Sequence, residues 1–131
     1  MKIEYHIQNA IDLSSSEKDD ISILMKTAYP NTSMPTRFTQ DLQDIDHPQP
    51  CCIAKDGDQI IGFRMAKPYN TTAIPLNILA PYSTLHGKHM VVAPAFRGQG
   101  IGQDIIKRLN THLHEQFNQD IIWGSSAEVG A

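Results

Sequence analysis

The chain has 131 residues, 40% of them hydrophobic and 19% charged, the composition of a single folded domain with one core rather than of a disordered or fibrous chain. A formal net charge of −3 offers no basic field to nucleic acid, and no Lys/Arg run suggests a membrane surface. No apolar stretch approaches the roughly 20 residues that span a bilayer, and Met1 to His6 reads as neither signal nor transit peptide, so a cytoplasmic protein without nucleic-acid or membrane partners is expected.

Ile3, Tyr5 and Ile7 alternate with Lys2, Glu4 and His6, the period of a half-buried first strand. Ser14-Ser15-Ser16-Glu17 then supplies capping chemistry for a helix whose Ile21, Leu24, Met25 and Ala28 form one apolar stripe, ending before Pro30. Asn31 to Pro35 reads as a loop. A second helix follows, with Phe38, Leu42 and Ile45 on one face, and stops at His47-Pro48.

Cys51 to Lys55 and Gln59 to Ala66 are two strands joined by Asp56-Gly57-Asp58, whose Asp-Gly pair is a strong hairpin signal. The only cysteines, Cys51 and Cys52, are adjacent, so strand alternation sends them to opposite faces and a disulfide between them would be strained. They read as buried apolar filler and make no zinc site; a nucleophilic Cys52 would lack any base nearby in sequence. From Lys67 to Thr84 the pattern is broken by Pro68, Asn70, Thr71, Thr72, Pro75 and Pro81. Two readings stand for this stretch: a recognition loop lined by Tyr69 and Tyr82, or a hairpin that extends past the sheet.

Leu85 to Val92 reads as a fourth strand and ends at Pro94. It feeds the run Val92-Ala93-Pro94-Ala95-Phe96-Arg97-Gly98-Gln99-Gly100-Ile101-Gly102, after which Ile101, Ile105, Leu109 and Leu113, continued by Phe117, mark one face of a helix. Asp120 to Ser125 is a fifth strand, parallel to the fourth because a helix connects them, and Ser126 to Ala131 would begin a further helix.

A strand feeding a glycine-rich turn into a helix points free backbone N–H groups and the positive end of the helix dipole at one spot, which suits an anion. Gly98, Gly100 and Gly102 permit positive φ and close approach, and Arg97 adds a positive charge. The dinucleotide fingerprint G-x-G-x-x-G fails because the third glycine, Gly102, comes one residue early and Gln103 stands in its place. The phosphate loop that ends in Gly-Lys-Ser/Thr fails because Gly102 is followed by Gln103-Asp104.

What fits is Arg-x-x-Gly-x-Gly preceded by Val-x-Pro, which closely resembles the acetyl-CoA loop of the GNAT superfamily of N-acetyltransferases. The hairpin reinforces it, since an apolar run, Asp-Gly and then Ile60-Ile61-Gly62-Phe63 resemble the second and third strands of that family. The resemblance implies an α/β (α+β) fold: a mixed, mostly antiparallel central sheet with helices on both faces and parallel fourth and fifth strands, forming one domain over residues 1–131. It implies that the backbone N–H groups of Arg97, Gly98, Gln99, Gly100, Ile101 and Gly102 hold the pyrophosphate of acetyl-CoA, the acyl donor. A bulge in the fourth strand would splay it from the fifth, leaving Met90, Val91 and Val92 to pair with the pantetheine arm. Tyr29, Arg37, Phe38 and Tyr82 become candidate acceptor contacts; a packed aromatic and a solvated arginine are the plainer readings of Phe38 and Arg37.

The implied reaction is direct attack of a primary amine on the thioester in a ternary complex, without a metal. An ammonium has no lone pair, so a base must take its proton, and a donor must stabilise the oxyanion. His86 and His89 are the candidate bases, on opposite faces unless the bulge intervenes, with His89 preferred; the Val91 N–H is the expected oxyanion donor.

The family ordinarily continues with a helix that often carries a tyrosine acting as general acid, and then two more strands. This sequence reaches only the first residues of that helix, with Glu128 about where the family often has a capping asparagine, so the domain is C-terminally short. An exposed fifth-strand edge would result, covered by a second copy of the chain in a homodimer unless the sequence is a fragment. The alternative function is a non-catalytic acyl-CoA-binding remnant. The acceptor, a small-molecule or peptide amine, is not legible.

Overall fold

The computed structural model describes residues 2–45, 49–68, 85–117 and 121–122. Strands β1 (Ile3–Asn9), β2 (Pro50–Asp56), β3 (Gln59–Pro68), β4 (Leu85–Val92) and β5 (Ile121–Ile122) form one sheet in the order β1-β2-β3-β4-β5. The first four are antiparallel neighbours, and β5 runs parallel to β4 through the pairs Leu85–Ile121 and His86–Ile122. Helices α1 (Ser15–Ala28), α2 (Met34–Asp41) and α3 (Ile101–Phe117) complete the described fold. The remainder of the expected fifth strand, the helix expected from Ser126, the edge proposed to pair with a second copy and the loop with Tyr69 and Tyr82 lie outside the described residues.

The helices divide between the two faces as strand alternation dictates. On one face Phe38 of α2 meets Phe63 of β3 edge-on, with ring centroids 5.3 Å apart. On the other, Gly62, the residue before Phe63, leaves room for α3: a Cβ there would stand 2.7 Å from Ile105 Cδ1. The stripe Ile101, Ile105, Leu109 and Leu113 is buried along its length, as its spacing predicts.

α1 starts where its sequence says it should. Ser14 Oγ accepts the Glu17 N–H and Glu17 Oε1 accepts the Ser14 N–H, a complete capping box that contributes about 1 kcal/mol. α2 departs from expectation at both ends. Its first turn includes Pro35, which needs no N–H there, and it stops at Asp41, leaving Ile45 72% exposed instead of on a buried stripe. The side chain of Gln49 explains the early stop: its Nε2 donates to the Asp41 carbonyl at 2.7 Å and to the Asp44 carbonyl at 3.0 Å, satisfying the helix end. Gln49 is in turn fastened to the end of β1, accepting the Ala10 N–H at 2.8 Å and donating to Asn9 Oδ1 at 3.2 Å.

The β2–β3 hairpin turns at Gly57, whose φ of +62° suits glycine. Between β3 and β4 the register slips: Phe63 pairs Val91 but Met65 pairs Lys88, so His89 and Met90 together oppose Arg64. This is the expected β4 bulge, and His89 sits in it at φ +60°, the left-handed region, where a residue other than glycine costs about 1–2 kcal/mol. The splay of β4 from β5 beyond Ile122 lies outside the described residues.

Candidate functional site

At the end of β4 the Ala93 N–H still donates to the Ile61 carbonyl, at 2.7 Å, and the chain then leaves the sheet through a short 3-10 turn over Pro94–Phe96. Gly98 and Gly100 both take φ +80°, and neither would bring a Cβ within 4 Å of another atom, so the loop opens outward. The first α3 donor to find a carbonyl is the Asp104 N–H, which reaches Gly100 O at 3.0 Å. Among the described residues the N–H groups of Gly98, Gln99, Gly100, Ile101, Gly102 and Gln103 make no hydrogen bond. Six successive unbonded donors at a helix N-terminus are an arrangement suited to an anion.

The side chains around the cradle keep it electropositive. Arg97 Nε donates to the Val92 carbonyl at 3.3 Å, and its guanidinium lies 5.4 Å from the Tyr29 ring centroid, a cation–π contact that holds the charge beside the loop. Asp104, the acidic residue of the first α3 turn, accepts the Tyr5 hydroxyl at 3.1 Å, which turns its carboxylate toward β1. Gly102 lets the helix rest on the strand; a Cβ there would lie 2.9 Å from Met90 Cε and 3.6 Å from Val92 Cγ2.

Three residues back from Val92, on the α1/α2 face, His89 is only 3% exposed, and its Nε2 lies 2.6 Å from Oδ2 of the buried Asp41. Phe38 packs edge-on against the imidazole, with centroids 6.0 Å apart. Asp41 carries no motif. Its signal is positional: it lies three residues after Phe38, so an ionisable group falls on the apolar stripe of a helix.

The other expected residues are distributed as follows. His86 takes its place in β4 between Lys67 of β3 and Ile122 of β5. Met90, Val91 and Val92 are buried. Arg37 is exposed on α2, Tyr29 is half-buried beneath Arg97, and Tyr82 lies outside the described residues. Phe38 is fully buried, packed as a core aromatic against Phe63 and His89. Val91 is corrected. Since Ala93 donates to Ile61, antiparallel alternation makes Phe63–Val91 the next hydrogen-bonded pair, so the Val91 N–H faces β3 while Val92 faces the opposite edge. The Val92 carbonyl obeys this, being turned away from β3 to accept Arg97.

Both cysteines are free and buried. Burial pushes the Cys52 thiol from its ordinary 9.0 up to about 12, and burial followed by the charge of Cys52 pushes Cys51 higher still, the opposite of what a nucleophile needs. The folded protein at pH 8 is therefore expected to resist iodoacetamide, with both thiols alkylated only in denaturant. Because the folded state retains protons that the unfolded chain releases near pH 9, the stability linked to these thiols is full below that pH and is lost as pH rises from about 9 toward 12. Among the described residues no three His, Cys, Asp or Glu side chains are grouped to hold a metal, and no helix is long and apolar enough to cross a membrane.

A glycine cradle at the end of a bulged strand, inside a mostly antiparallel sheet flanked by helices, defines an acyl-CoA-type transferase fold. Residues 18–125 match the model of the acetyltransferase (GNAT) family, and the chain belongs to that family. Among solved structures it is similar to an acyl-CoA N-acyltransferase from Pseudomonas aeruginosa, with TM-score 0.73 and 15% identity over 99% of this chain and 84% of that one. It is also similar to an aminoglycoside acetyltransferase from an uncultured soil metagenomic sample, in complex with sisomicin, with TM-score 0.68 and 15% identity over 94% and 77% of the two chains. A third is the ribosomal-protein-alanine N-acetyltransferase of Brucella melitensis biovar Abortus 2308, with TM-score 0.62 and 14% identity over 95% and 80%. No curated protein sequence matches.

Proposed function

We propose that this chain is an acetyl-CoA-dependent N-acetyltransferase that moves acetyl to a primary amine by direct attack in a ternary complex. The observation that carries the proposal is the row of six unbonded N–H groups from Gly98 to Gln103 beside Arg97, a donor set suited to a pyrophosphate. Acetyl-CoA, when bound there, supplies an acyl group activated as a thioester.

In this reading the N–H groups of Gly98, Gln99, Gly100, Ile101 and Gly102 hold the pyrophosphate with the Arg97 guanidinium beside them, the Arg97 N–H expected to join them being instead bonded to the Pro94 carbonyl at 3.3 Å, and β4 around Met90 to Val92 receives the pantetheine arm as an added strand would. The Met90 N–H, at the bulge, takes the place of Val91 as the donor to the developing oxyanion in this reading. His89 takes the proton of the acceptor ammonium from the α1/α2 side, opposite the face on which α3 packs. An aminoglycoside, a polyamine or a lysyl side chain each presents the required primary amine.

The test is calorimetric titration of the full chain with acetyl-CoA, followed by thiol-release assays on spermidine, sisomicin and an Nα-blocked lysine. Micromolar binding with turnover of at least one amine is expected. Binding without turnover on any of them would select a non-catalytic acyl-CoA-binding module, and no binding by a folded sample would overturn the cradle itself.

A further inference from the structure

We propose that the outer edge of β1 is a homodimer interface, on which a second copy of this chain lays its own β1 antiparallel across a two-fold axis at Tyr5. Among the described residues β1 is the outer strand of the sheet and β2 alone pairs with it. It keeps one register from Ile3 to Asn9, with no bulge, proline or glycine to blunt the edge. The Ala10 N–H donates to the Gln49 carbonyl, so antiparallel alternation turns the backbone groups of Gln8, His6 and Glu4 toward β2. Those of Ile3, Tyr5 and Ile7 are left on the open side.

The residues of that edge select a second copy as its occupant. A two-fold pairing that continues the sheet must match side chains on the same face, so the axis falls at a residue of the strand. At Glu4 it would set two carboxylates together and Lys2 against His6; at His6 it would set two imidazoles together and Ile3 against Asn9; at Ile7 it would leave Ile3 and Glu4 without a partner strand. At Tyr5 every pair agrees. Ile3 lies beside Ile7 of the second copy and Tyr5 beside its counterpart, exchanging the outward N–H and C=O bonds, while Glu4 lies opposite His6 in the closer, non-hydrogen-bonded type of pair.

Both faces of β1 are suited to this register. Glu4 and His6 project from one face, their side chains 60% and 49% exposed and 3.7 Å apart, and by symmetry each meets its opposite in the second copy. An imidazole N–H donates to a carboxylate whether or not the ring is charged. On the other face Tyr5 and Ile7, both half-buried, line a groove of about 410 Å³ with Arg108 and Thr111 of α3. Tyr5 and Ile3 of the second copy cover the apolar side of these residues. β2 and β3 stand between β1 and β4, so the interface leaves the glycine loop open and stands independently of what that loop binds.

The experiment begins with sedimentation equilibrium of the unmodified full chain from about 1 to about 200 μM, where a monomer–dimer equilibrium is expected and a monomer throughout overturns the proposal. The amides of Ile3, Tyr5 and Ile7 are expected to exchange with deuterium more slowly in the dimer than in the diluted monomer; equal exchange overturns the interface without any variant. His6→Glu sets carboxylate against carboxylate, and Glu4→Lys combined with His6→Lys sets ammonium against ammonium. Each chain alone is expected to dimerise at least about 10-fold more weakly with an unchanged circular dichroism spectrum. Mixed in equal amounts, the two are expected to form a heterodimer within about threefold of the original dissociation constant, because every charge then meets its opposite. A dimer that neither variant weakens forms on another surface and overturns the proposal, as does a mixture that stays monomeric.

Discussion

Replacing Gly100 by glutamate is expected to weaken acetyl-CoA binding by more than about 100-fold, or roughly 2.8 kcal/mol, as read by calorimetry. Two effects combine. At φ +80° any L side chain adds about 1–2 kcal/mol of backbone strain, and relieving it moves the N–H groups on either side. The new Cβ would meet nothing within 4 Å, so the carboxylate extends into the open space in front of the cradle and confronts the phosphates with like charge. Gly57 supplies the control, since it too has positive φ, +62°, and open space around it, but lies in the β2–β3 turn. Gly57→Glu is expected to lower the melting temperature comparably and leave acetyl-CoA affinity unchanged, which separates strain from recognition.

The second large effect is expected at His89. His89→Gln should lower kcat between about 100- and 10,000-fold, the range over which general bases act, in a steady-state assay on the panel amines. Glutamine retains an N–H that can donate to Asp41, so the fold keeps its buried hydrogen bond while the proton acceptor is lost. Acetyl-CoA affinity should hold within about twofold, because the cradle N–H groups lie beyond the end of β4 and none of them bonds to His89. Equal losses of affinity and kcat would indicate that the bulge itself had collapsed.

Much of this arrangement is written locally in the chain. The capping box of α1, the Asp-Gly turn, the four-residue recurrence of Ile101 to Leu113 and the glycine loop are each decided by residues within one or two turns of one another, and each is found where the sequence puts it. The features that were illegible are long-range. Asp41 and His89 are 48 positions apart and meet only because α2 folds over the sheet, and Gln49 ends α2 from beyond its own C-terminus. Periodicity puts Phe38 and Ile45 on one stripe because it assumes that the helix continues, and a carbonyl acceptor bonded to Gln49 is what ends it. The direction of the Val91 N–H depends on the β3–β4 register, which no spacing along one strand reveals.

The loop that presents the unbonded N–H groups is tied down on both sides. Ala93 bonds Ile61 before it, Arg97 bonds Val92 within it, and after it the Tyr5 hydroxyl grips Asp104 while Arg108 lies 4.3 Å from the Tyr5 ring centroid. A flexible glycine loop would have to be ordered at the moment of association, and that loss of conformational freedom would be subtracted from the affinity. Here the sheet and α3 already hold the loop, so in the proposed reading an anion would meet donors in place, without a loop-ordering entropy to subtract.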